Sequence, residues 1–427
     1  MIEGGKPLSG SVVIQGAKNA ALPIMAASLL AEGTTILENV PNLLDIAVMN
    51  DILRELGCKV VHDKSTVYID TTQTIKSHVP EKLMNRMRSS IFLMGPLLAK
   101  YGKTQVYKPG GCAIGERKID IHLDGLRALG AEIVEEGDAI ICTAEKLVGA
   151  DIHLSFPSVG ATENIMMAAV LAKGRTVISN AAREPEIQDL QSFLNAMGAK
   201  VLGAGTDTIT IDGVDRLYSC EHRIIPDRIV TGTLIIAAAA TRGHIVLYKT
   251  QPAHLTSLIN VIRKSGVQIV INGDIMKVDS RVRSKAIDKI VTAPYPAFPT
   301  DLQSQMMVML ALANGTSIIK ETIFESRLKH VDELARMGAD IRVDMNTAFI
   351  RGVPRLYGAT VEATDLRAGA ALVIAGLAAQ GRTIVERVHH IDRGYDRIEE
   401  ILSSLGATIT RVATAVSTNK VNETFVQ

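Results

Sequence analysis

Apolar and polar positions along the chain follow a unit that recurs six times. Each copy contains a helical stretch closed by glycine and followed by a short β-branched strand, and these stretches lie at 53–57, 126–130, 194–198, 262–266, 334–338 and 402–406. The successive marker glycines are 73, 68, 68, 72 and 68 residues apart. A period this constant indicates an architecture built from repeated units.

Within each unit the pattern predicts the order helix–strand–helix–strand–strand. The first helix, as at 20–31, is rich in Ala, Leu and Met on every side, and a glycine such as Gly33 closes it. A β-branched strand follows, as at 34–40, and then an amphipathic helix, as at 43–56, that ends at the marker glycine. Because the first helix has no polar face, we expect it to be buried.

The burial of these apolar helices predicts the fold class. One unit of about 70 residues would bury such a helix poorly, whereas several units packed around their apolar helices would bury all of them. We therefore predict an α/β (α+β) fold of two inside-out, barrel-like domains, each made of three units, with helices inside and sheets outside. The polar stretch 215–227, between the third and fourth units, is the expected crossing point between the domains.

Composition and charge exclude several functional classes. The 427 residues include 46 Lys and Arg against 45 Asp and Glu, so the net charge of +1 gives no global attraction to nucleic acid or a membrane surface. The chain has no tryptophan and only 4% aromatic residues, which argues against a base-stacking platform. We expect neither nucleic acid nor a membrane as partner.

Cysteine usage and the chain start indicate a cytoplasmic protein. Cys58, Cys112, Cys142 and Cys220 form no C-x-x-C pair, which argues against a disulfide scaffold or a structural zinc site. The first residues lack the basic and apolar regions of a signal peptide, and the longest apolar runs are too short to span a bilayer.

Polar exceptions to the repeat fall at two equivalent places in the units. The start of the apolar helix carries Lys18-Asn19, Arg88, the stretch from Ser158 to Thr162, Arg228, Asp301 and Arg367. The loop before the amphipathic helix carries Pro41-Asn42, Cys112 with Arg117, Glu184, Gln251, Arg327 and the stretch from His390 to Arg393. Helix N-termini already favour anions, so cations at several of them imply a compensating anionic ligand. Any single one of these charges could instead be solvated or form a salt bridge between domains.

The loop around Cys112 is the strongest single candidate for chemistry. Three glycines and a proline surround the thiol, and Arg117 and Lys118 follow it. Glycines allow close approach to a ligand, and neighbouring cations tune a reactive cysteine. The alternative is an ordinary turn with a small buried thiol.

Nucleoside-triphosphatase, zinc-protease and metal-site patterns are missing from the sequence. No G-x-x-x-x-G-K-[ST] and no H-E-x-x-H occurs, and the His389-His390 pair at a strand end is more often structural than metal-binding. We expect no metal and no cofactor.

Six short motifs carry a resemblance that covers residues 1 to about 410. They begin at Gly16, Pro109, Gly160, Phe298, Asp365 and His390 and read GAKNA, PGGC, GAT, FPTDLQ, DLRAG and HIDRGY. In this order they resemble the UDP-N-acetylglucosamine 1-carboxyvinyltransferases, the enolpyruvyl transferases that open bacterial peptidoglycan synthesis. The resemblance implies two inside-out α/β domains, one discontinuous (1–18 plus 227–427) and one inserted into it (19–226).

The resemblance also implies the chemistry. Enolpyruvyl would pass from phosphoenolpyruvate to the sugar 3′-hydroxyl by addition and elimination, with release of phosphate. Asp301 matches the general base and Cys112 the general acid. Lys18 and Arg393, with Arg117, match ligands of phosphoenolpyruvate, near Arg327, Asp365 and Arg367. The positions that match the UDP-sugar site are Asn19, Arg88, Arg117, Lys118, Ile119, Asp120, Ile121, Ser158, Val159, Gly160 and Ile323. A role in the cell wall and cell division, and alkylation of Cys112 by fosfomycin, are implied with them.

Two departures from the family pattern affect loop detail rather than the reaction. Arg117-Lys118 stands where Arg-Pro is usual, and Ser326-Arg327-Leu328 stands where Asn-Arg-Phe is usual. Both are compatible with a second paralogue of the enzyme. The alternatives are a 3-phosphoshikimate 1-carboxyvinyltransferase, which would lack the cysteine loop, and a catalytically silent paralogue that binds UDP-sugar and regulates the pathway. The oligomeric state stays open.

Overall fold

The computed structural model describes residues 1–73, 75–84, 86–108, 114–115 and 119–412, and only the backbone of Arg88 and Ser89. Three candidate residues, Cys112, Arg117 and Lys118, lie outside the described residues. The side chain of Arg88 lies outside them as well.

Each repeat contains one helix that is buried over most of its length, as the apolar pattern predicts. These helices are α1 (Lys18–Ala27), α4 (Met94–Tyr101), α6 (Val159–Ala169), α8 (Arg228–Ala240), α10 (Gln303–Ala311) and α12 (Leu366–Ala378). In α8, only the first residue, Arg228, escapes full burial. The helices form the interior because none of their faces is suited to water.

A second set of helices is amphipathic and ends at the marker glycines. They are α2 (Leu44–Leu56), α5 (Asp120–Ala128), α7 (Pro185–Ala196), α9 (Thr256–Lys264), α11 (Val331–Arg336) and α13 (Ile398–Ser404). A further short helix is α3 (Glu81–Met84). Gly57 closes α2 with φ of 112°, a left-handed conformation that glycine adopts without strain.

The described strands form six separate sheets, one for each repeat. Their bounds in chain order are β1 (Ile2–Glu3), β2 (Ser9–Val13), β3 (Thr34–Glu38), β4 (Lys59–Asp63), β5 (Thr66–Asp70), β6 (Lys103–Tyr107), β7 (Glu132–Glu136), β8 (Ala139–Thr143), β9 (Asp151–His153), β10 (Arg175–Ser179), β11 (Lys200–Leu202), β12 (Thr208–Asp212), β13 (Glu221–Arg223), β14 (His244–Tyr248), β15 (Gln268–Asn272), β16 (Ile275–Asp279), β17 (Lys289–Val291), β18 (Thr316–Lys320), β19 (Asp340–Asp344), β20 (Thr347–Arg351), β21 (Thr360–Glu362), β22 (Arg382–Glu386) and β23 (Thr408–Ile409). The α/β fold class is confirmed.

The structure adds a strand that the repeat pattern did not predict. In the third unit, β9 precedes α6 and pairs in parallel with β10, and β17 and β21 do the same in the fifth and sixth units. A single bridge between His78 and Gln105 takes this place in the second unit. The parallel strand brings each chain segment to the start of its buried helix.

The first and fourth units exchange this parallel strand. β2 leads into α1 but pairs with β14 of the fourth unit, whereas β13 leads into α8 but pairs with β3 of the first unit. The sixth unit also borrows a strand, because β1 lies between β22 and β23. The N-terminal strands therefore belong to sheets of the C-terminal half.

The buried apolar side chains divide into two clusters. The first core runs from Ala17 to Ile224, and the second core joins Ile2, Leu8 and Ile14 to residues from Ile229 to Leu405. The first core begins at Ala17, inside the predicted segment 1–18, and the predicted domains 1–18 plus 227–427 and 19–226 stay a prediction. Among the described residues, no helix is long and apolar enough to cross a membrane.

Candidate active site

The two chain crossings lie side by side and bring two helix starts together. The Ala17 N–H donates to the Ile225 carbonyl at 2.8 Å, and the Asp227 N–H donates to the Gln15 carbonyl at 2.9 Å. Asp227 then caps α8, because its Oδ1 accepts from the N–H of Ile229 at 2.8 Å. Its Oδ2 accepts from the backbone N–H of Lys18, the first residue of α1, at 3.3 Å.

A buried carboxylate joins Lys18 to Arg393. Asp45, in the first turn of α2, is 2% exposed and accepts from Lys18 Nζ at 3.1 Å and from Arg393 Nε at 2.9 Å. Burial lowers the pKa of Lys18 against the attraction of Asp45. Burial alone would raise the pKa of Asp45, but the charges of Lys18 and Arg393 leave it below its usual value. The three groups form one charged cluster between the two cores.

Two arginines hold Asp301, each through a different carboxylate oxygen. Arg327 Nη2 donates to Oδ1 at 2.7 Å, and Arg367 Nη2 donates to Oδ2 at 2.8 Å. Burial would lower the pKa of Arg367, but Asp301 raises it above its usual value. The Asp301 side chain keeps 26% of its surface exposed, so a ligand can still reach its carboxylate.

A buried hydrogen-bond network supports this carboxylate from behind. Gln305 Nε2 donates to the Asp301 backbone carbonyl at 2.9 Å and lies 3.3 Å from the Tyr395 hydroxyl. That hydroxyl also lies 2.8 Å from Thr233 Oγ1 and 3.4 Å from Arg367 Nη1. Thr233 in α8 and Gln305 in α10 hold the Tyr395 hydroxyl, which in turn fixes the orientation of Arg367.

The Asp301 and Lys18 clusters adjoin each other. Burial lowers the pKa of Lys18 most, the charge of Asp45 opposes this, and the nearby charge of Arg367 lowers the pKa further. A carboxylate with exposed surface therefore stands beside two cations supplied by different parts of the fold. This combination suits a substrate that carries both a hydroxyl group to be deprotonated and an anion to be neutralised.

The candidate sugar-site residues lie at neighbouring helix starts of the first core. Ser158 caps α6, since its Oγ accepts from the Ala161 N–H at 3.3 Å. A Cβ on Gly160 would lie 3.1 Å from His122 Cε1, so α6 and α5 approach closely there. Ile119, Asp120 and Ile121 form the cap and first residues of α5.

The remaining candidates take different positions. Asn19 is half-buried in the first turn of α1. The Ile323 N–H donates to Glu321 Oε1 at 2.7 Å in the stretch that leads to Arg327. Asp365 caps α12 by accepting from the Arg367 N–H at 2.8 Å, so its carboxylate serves the helix start.

The exit of the Cys112 loop is attached to the second core. The Ser326 N–H donates to the Ile114 carbonyl at 3.0 Å, and Ile114 is buried. A Cβ on Gly115 would lie 3.4 Å from the backbone nitrogen of Glu325. Ser326 is adjacent to Arg327, so the described end of the loop lies beside the segment that holds Asp301.

Sequence reasoning missed Asp45, Tyr395 and an acidic cluster near the crossing. Glu186 pairs with Arg228 at 3.0 Å, and Glu184 Oε1 accepts from the Tyr295 N–H at 3.4 Å. The alignment of the units draws attention to Glu184 and Arg228 but not to Glu186, the ion-pair partner of Arg228. Asp45 gave no signal, because an acidic residue in the first turn of a helix is ordinary.

His330 was missed as well. It is buried, and its Nδ1 lies 3.1 Å from the Arg327 carbonyl. Burial lowers the pKa of His330 to about 4, so it stays neutral at pH 7.

No group of three His, Cys, Asp or Glu side chains suited to a metal ion occurs in the part of the chain that the structure describes. The charged groups at the crossing are instead paired with one another. Their chemistry is that of an anion site next to a carboxylate.

Comparisons with known proteins identify the family of the chain. The family model of EPSP synthase (3-phosphoshikimate 1-carboxyvinyltransferase) matches residues 2–402. UDP-N-acetylglucosamine 1-carboxyvinyltransferase 2 of Caldanaerobacter subterraneus is 52% identical over 96% of this chain and 99% of its own. UDP-N-acetylglucosamine 1-carboxyvinyltransferase of Coxiella burnetii is 50% identical over 97% of this chain and 96% of its own.

Solved structures show the same fold. The enolpyruvyl transferase NikO from Streptomyces tendae superimposes with a TM-score of 0.86 at 25% identity, over 95% of this chain and 97% of its own. EPSP synthase from Acinetobacter baumannii gives a TM-score of 0.73 at 19% identity, over 95% and 96% of the two chains. The chain therefore belongs to the EPSP synthase family of enolpyruvyl transferases, with UDP-N-acetylglucosamine 1-carboxyvinyltransferases among its relatives.

Proposed function

We propose that this enzyme transfers enolpyruvyl from phosphoenolpyruvate to the 3′-hydroxyl of UDP-N-acetylglucosamine. The observation that carries the proposal is that the Asp301 carboxylate, held by two arginines, lies near the Lys18 and Arg393 cations, which share Asp45. The names of the relatives at 50–52% identity supply the two substrates.

In the addition step, Asp301 takes the proton of the sugar hydroxyl while the hydroxyl oxygen of the sugar bonds to C2 of phosphoenolpyruvate. The C3 methylene carbon accepts a proton at the same time, which gives a tetrahedral adduct. In the elimination step, C3 loses a proton, the C2–C3 double bond reforms, and phosphate leaves with the electrons of its C–O bond. Each positioned acid or base contributes about 10²–10⁴ in rate.

Lys18 and Arg393 would neutralise the phosphate as it departs. They are supplied by opposite cores and already converge on one carboxylate, Asp45. Preorganised cations of this kind stabilise charge as it develops in the transition state, without further rearrangement. Arg117, outside the described residues, is proposed to join them.

Cys112 is proposed as the acid that protonates C3. The contact of Ile114 with Ser326 supports this role, since it attaches the end of the cysteine loop next to Arg327 and Asp301. The thiol is two residues before Ile114 in the chain. A thiol must hold its proton to act as an acid, so the loop has to present it in neutral form.

The UDP-sugar is proposed to bind along the starts of α1, α5 and α6. Asn19, Asp120 and Ser158 are polar groups at these starts, and free helix N–H groups suit a diphosphate. Lys118, Ile119, Ile121, Val159, Gly160 and Ile323 would complete this surface, with Arg88, Asp365 and Arg367 at its margins.

The cellular role follows from the same proposal. The reaction would be the first committed step of peptidoglycan synthesis, carried out in the cytoplasm on small molecules. We expect no nucleic acid or membrane partner for this step.

Phosphate release from phosphoenolpyruvate tests the proposed function. Release that requires UDP-N-acetylglucosamine supports it, whereas release with shikimate 3-phosphate would instead identify a 3-phosphoshikimate 1-carboxyvinyltransferase. If neither acceptor supports phosphate release, the remaining alternative is a catalytically silent paralogue that regulates the pathway. Asp301→Asn is the matched variant, because it keeps the shape of the side chain and removes the base.

A further inference from the structure

Each core has an open cavity at the C-terminal ends of its buried helices. The cavity of the first core measures about 800 Å³ and lies at the ends of α1, α4 and α6. The cavity of the second core measures about 360 Å³ and lies at the ends of α8, α10 and α12. We call the latter the second-core funnel; Asp301, Lys18 and Arg393 do not line it.

The second-core funnel is lined by four cations and by no described carboxylate. The cations are Lys6, Arg242, Arg283 and Arg355. None of them forms an ion pair with an acidic side chain in the part of the chain that the structure describes, although salt bridges occupy many other arginines. Lys6, Arg242 and Arg355 are exposed to water, and their like charges around one cavity favour the binding of an anion.

Of the four funnel cations, Arg283 is the one whose described hydrogen bonds go to free carbonyl groups at a helix end. Arg283 donates to the backbone carbonyls of Leu312, Ala313 and Val353 at 2.8–2.9 Å, so it satisfies helix-end and loop carbonyls. Arg355 donates to the Gln380 side chain and Lys6 to Thr408 Oγ1, both neutral acceptors. Both side chains keep further donors for a ligand.

A buried hydroxyl of the funnel has no partner among the described residues. Ser284 is 6% exposed and lines the cavity, and its Oγ forms no hydrogen bond within the part of the chain that the structure describes. A buried hydroxyl without a partner costs free energy, which a ligand oxygen in the funnel would recover. This observation is independent of the cations.

The cavity of the first core provides an internal contrast. Its four cations, Lys100, Lys146, Lys173 and Arg216, face three carboxylates, those of Glu32, Glu145 and Asp215. Arg216 lies 4.0 Å from Glu32 in an ion pair. The described lining of the first cavity therefore carries one excess positive charge, against four in the second-core funnel.

We propose that the second-core funnel binds a small multiply charged oxyanion of the phosphate or diphosphate class. Lys6, Arg242 and Arg355 would supply the charge, and Ser284 Oγ a neutral donor. The size of the cavity suits one such group, and its open side would admit either a free anion or the diphosphate of a nucleotide.

Isothermal titration calorimetry with inorganic phosphate and with inorganic diphosphate, in separate arms, tests this site. The measurements use the Arg393→Ala variant, because this substitution weakens competing anion binding at the cluster of Lys18, Asp45 and Arg393. In this background we expect about one diphosphate per chain, with binding that weakens as salt rises. Tighter binding of diphosphate than of phosphate would indicate a nucleotide diphosphate as the natural ligand, and the reverse would indicate free phosphate.

Substitution of Arg242 and Arg355 makes the test specific. Arg242 has φ of 55°, which asparagine tolerates well, so Arg242→Asn with Arg355→Gln should fold and weaken binding at least tenfold. Arg216→Asn with Lys173→Gln, in the other cavity, is the matched control and should not change binding.

In an otherwise unaltered chain, Arg242→Asn should leave phosphate release unchanged. No diphosphate binding in the Arg393→Ala background, or equal weakening by both pairs, would overturn the proposal; if the double variant unfolds, Arg355→Gln alone serves.

Discussion

Arg393 donates to the carboxylate of Asp45 at 2.9 Å across 348 positions of sequence, and so joins the two cores at the cluster of Lys18, Asp45 and Arg393. Lys18 donates to the same carboxylate. The cations proposed to receive the substrate phosphate are thus already partly neutralised by a side chain of the enzyme itself. An incoming anion shares them with Asp45 or displaces it.

Asp45→Asn tests this sharing. With the buried carboxylate gone, Lys18 and Arg393 repel each other, and the free energy of unfolding should fall by roughly 3 kcal/mol. Inorganic phosphate should then raise the melting temperature more in the variant than in the parent, because it replaces the lost charge. Differential scanning calorimetry with and without phosphate measures both effects. Asp51→Asn removes an exposed carboxylate and is the control; equal phosphate shifts in all three proteins would contradict the prediction.

Tyr395→Phe tests the network behind Asp301. Loss of the hydroxyl removes a contact to Arg367 and leaves Thr233 and Gln305 with fewer partners. We expect kcat to fall about tenfold with little change in KM for either substrate, since the loss of one hydrogen bond to a charged group is worth about 1.5–3 kcal/mol. Tyr248→Phe, on an exposed tyrosine, should keep full activity. A change in KM alone would show that Tyr395 acts in binding instead.

Cys112→Ser and Cys112→Asp separate acid chemistry from packing. Serine keeps the size of the side chain but is a much weaker acid, so most turnover should be lost. Aspartate can carry a proton and should retain part of the activity. Single-turnover formation of the enol ether measures the effect. Full activity of the serine variant would refute the assignment of Cys112 as general acid.

Fosfomycin should alkylate Cys112 when UDP-N-acetylglucosamine is present. The epoxide carbon would bond to the thiol sulfur, and the epoxide oxygen would become a hydroxyl. Mass spectrometry of the intact chain and its peptides should show one adduct, located at Cys112. The buried thiols Cys58 and Cys142 serve as internal controls and should stay unmodified, because burial raises their pKa to about 12 and about 11.

Glu163→Gln should stabilise the protein, and more so at higher pH. Both carboxyl oxygens of Glu163 are buried and have no hydrogen-bond partner among the described residues. Burial, with smaller effects of Glu186 and Glu184, raises the pKa of Glu163 well above the usual value. The folded state therefore keeps a proton that the unfolded state loses above about pH 4.5, so stability falls as pH rises. Melting temperatures at pH 5.5 and pH 8 should show a larger gain for the variant at pH 8. Glu132→Gln, on an exposed strand, should show no such gain; a pH-independent difference would contradict the prediction.

Local patterns in the sequence predicted much of the fold and part of the site. The apolar helices and their marker glycines are repeated signals, so the units and the cations at helix starts, such as Lys18 and Arg367, could be recognised. The pairing of Asp45 with Arg393 could not, because it depends on how two units far apart in sequence pack together. Local patterns do not show the exchange of β2 and β13 either, since strands of five and three residues carry no partner information, although the resemblance places residues 1–18 with the C-terminal half.

The placement of β1 has a consequence for how the protein is made. Ile2 pairs with Thr383 and with Ile409, so β1 leaves the ribosome well before either of the strands beside it. At about 5–20 residues per second, synthesis of the intervening chain takes about 20–80 s. During that time the first core can assemble while β1 is unpaired, and the second core can close only after β22 and β23 have been made. The cluster of Lys18, Asp45 and Arg393 needs side chains from both cores, and so it can form only after Arg393 has been synthesised.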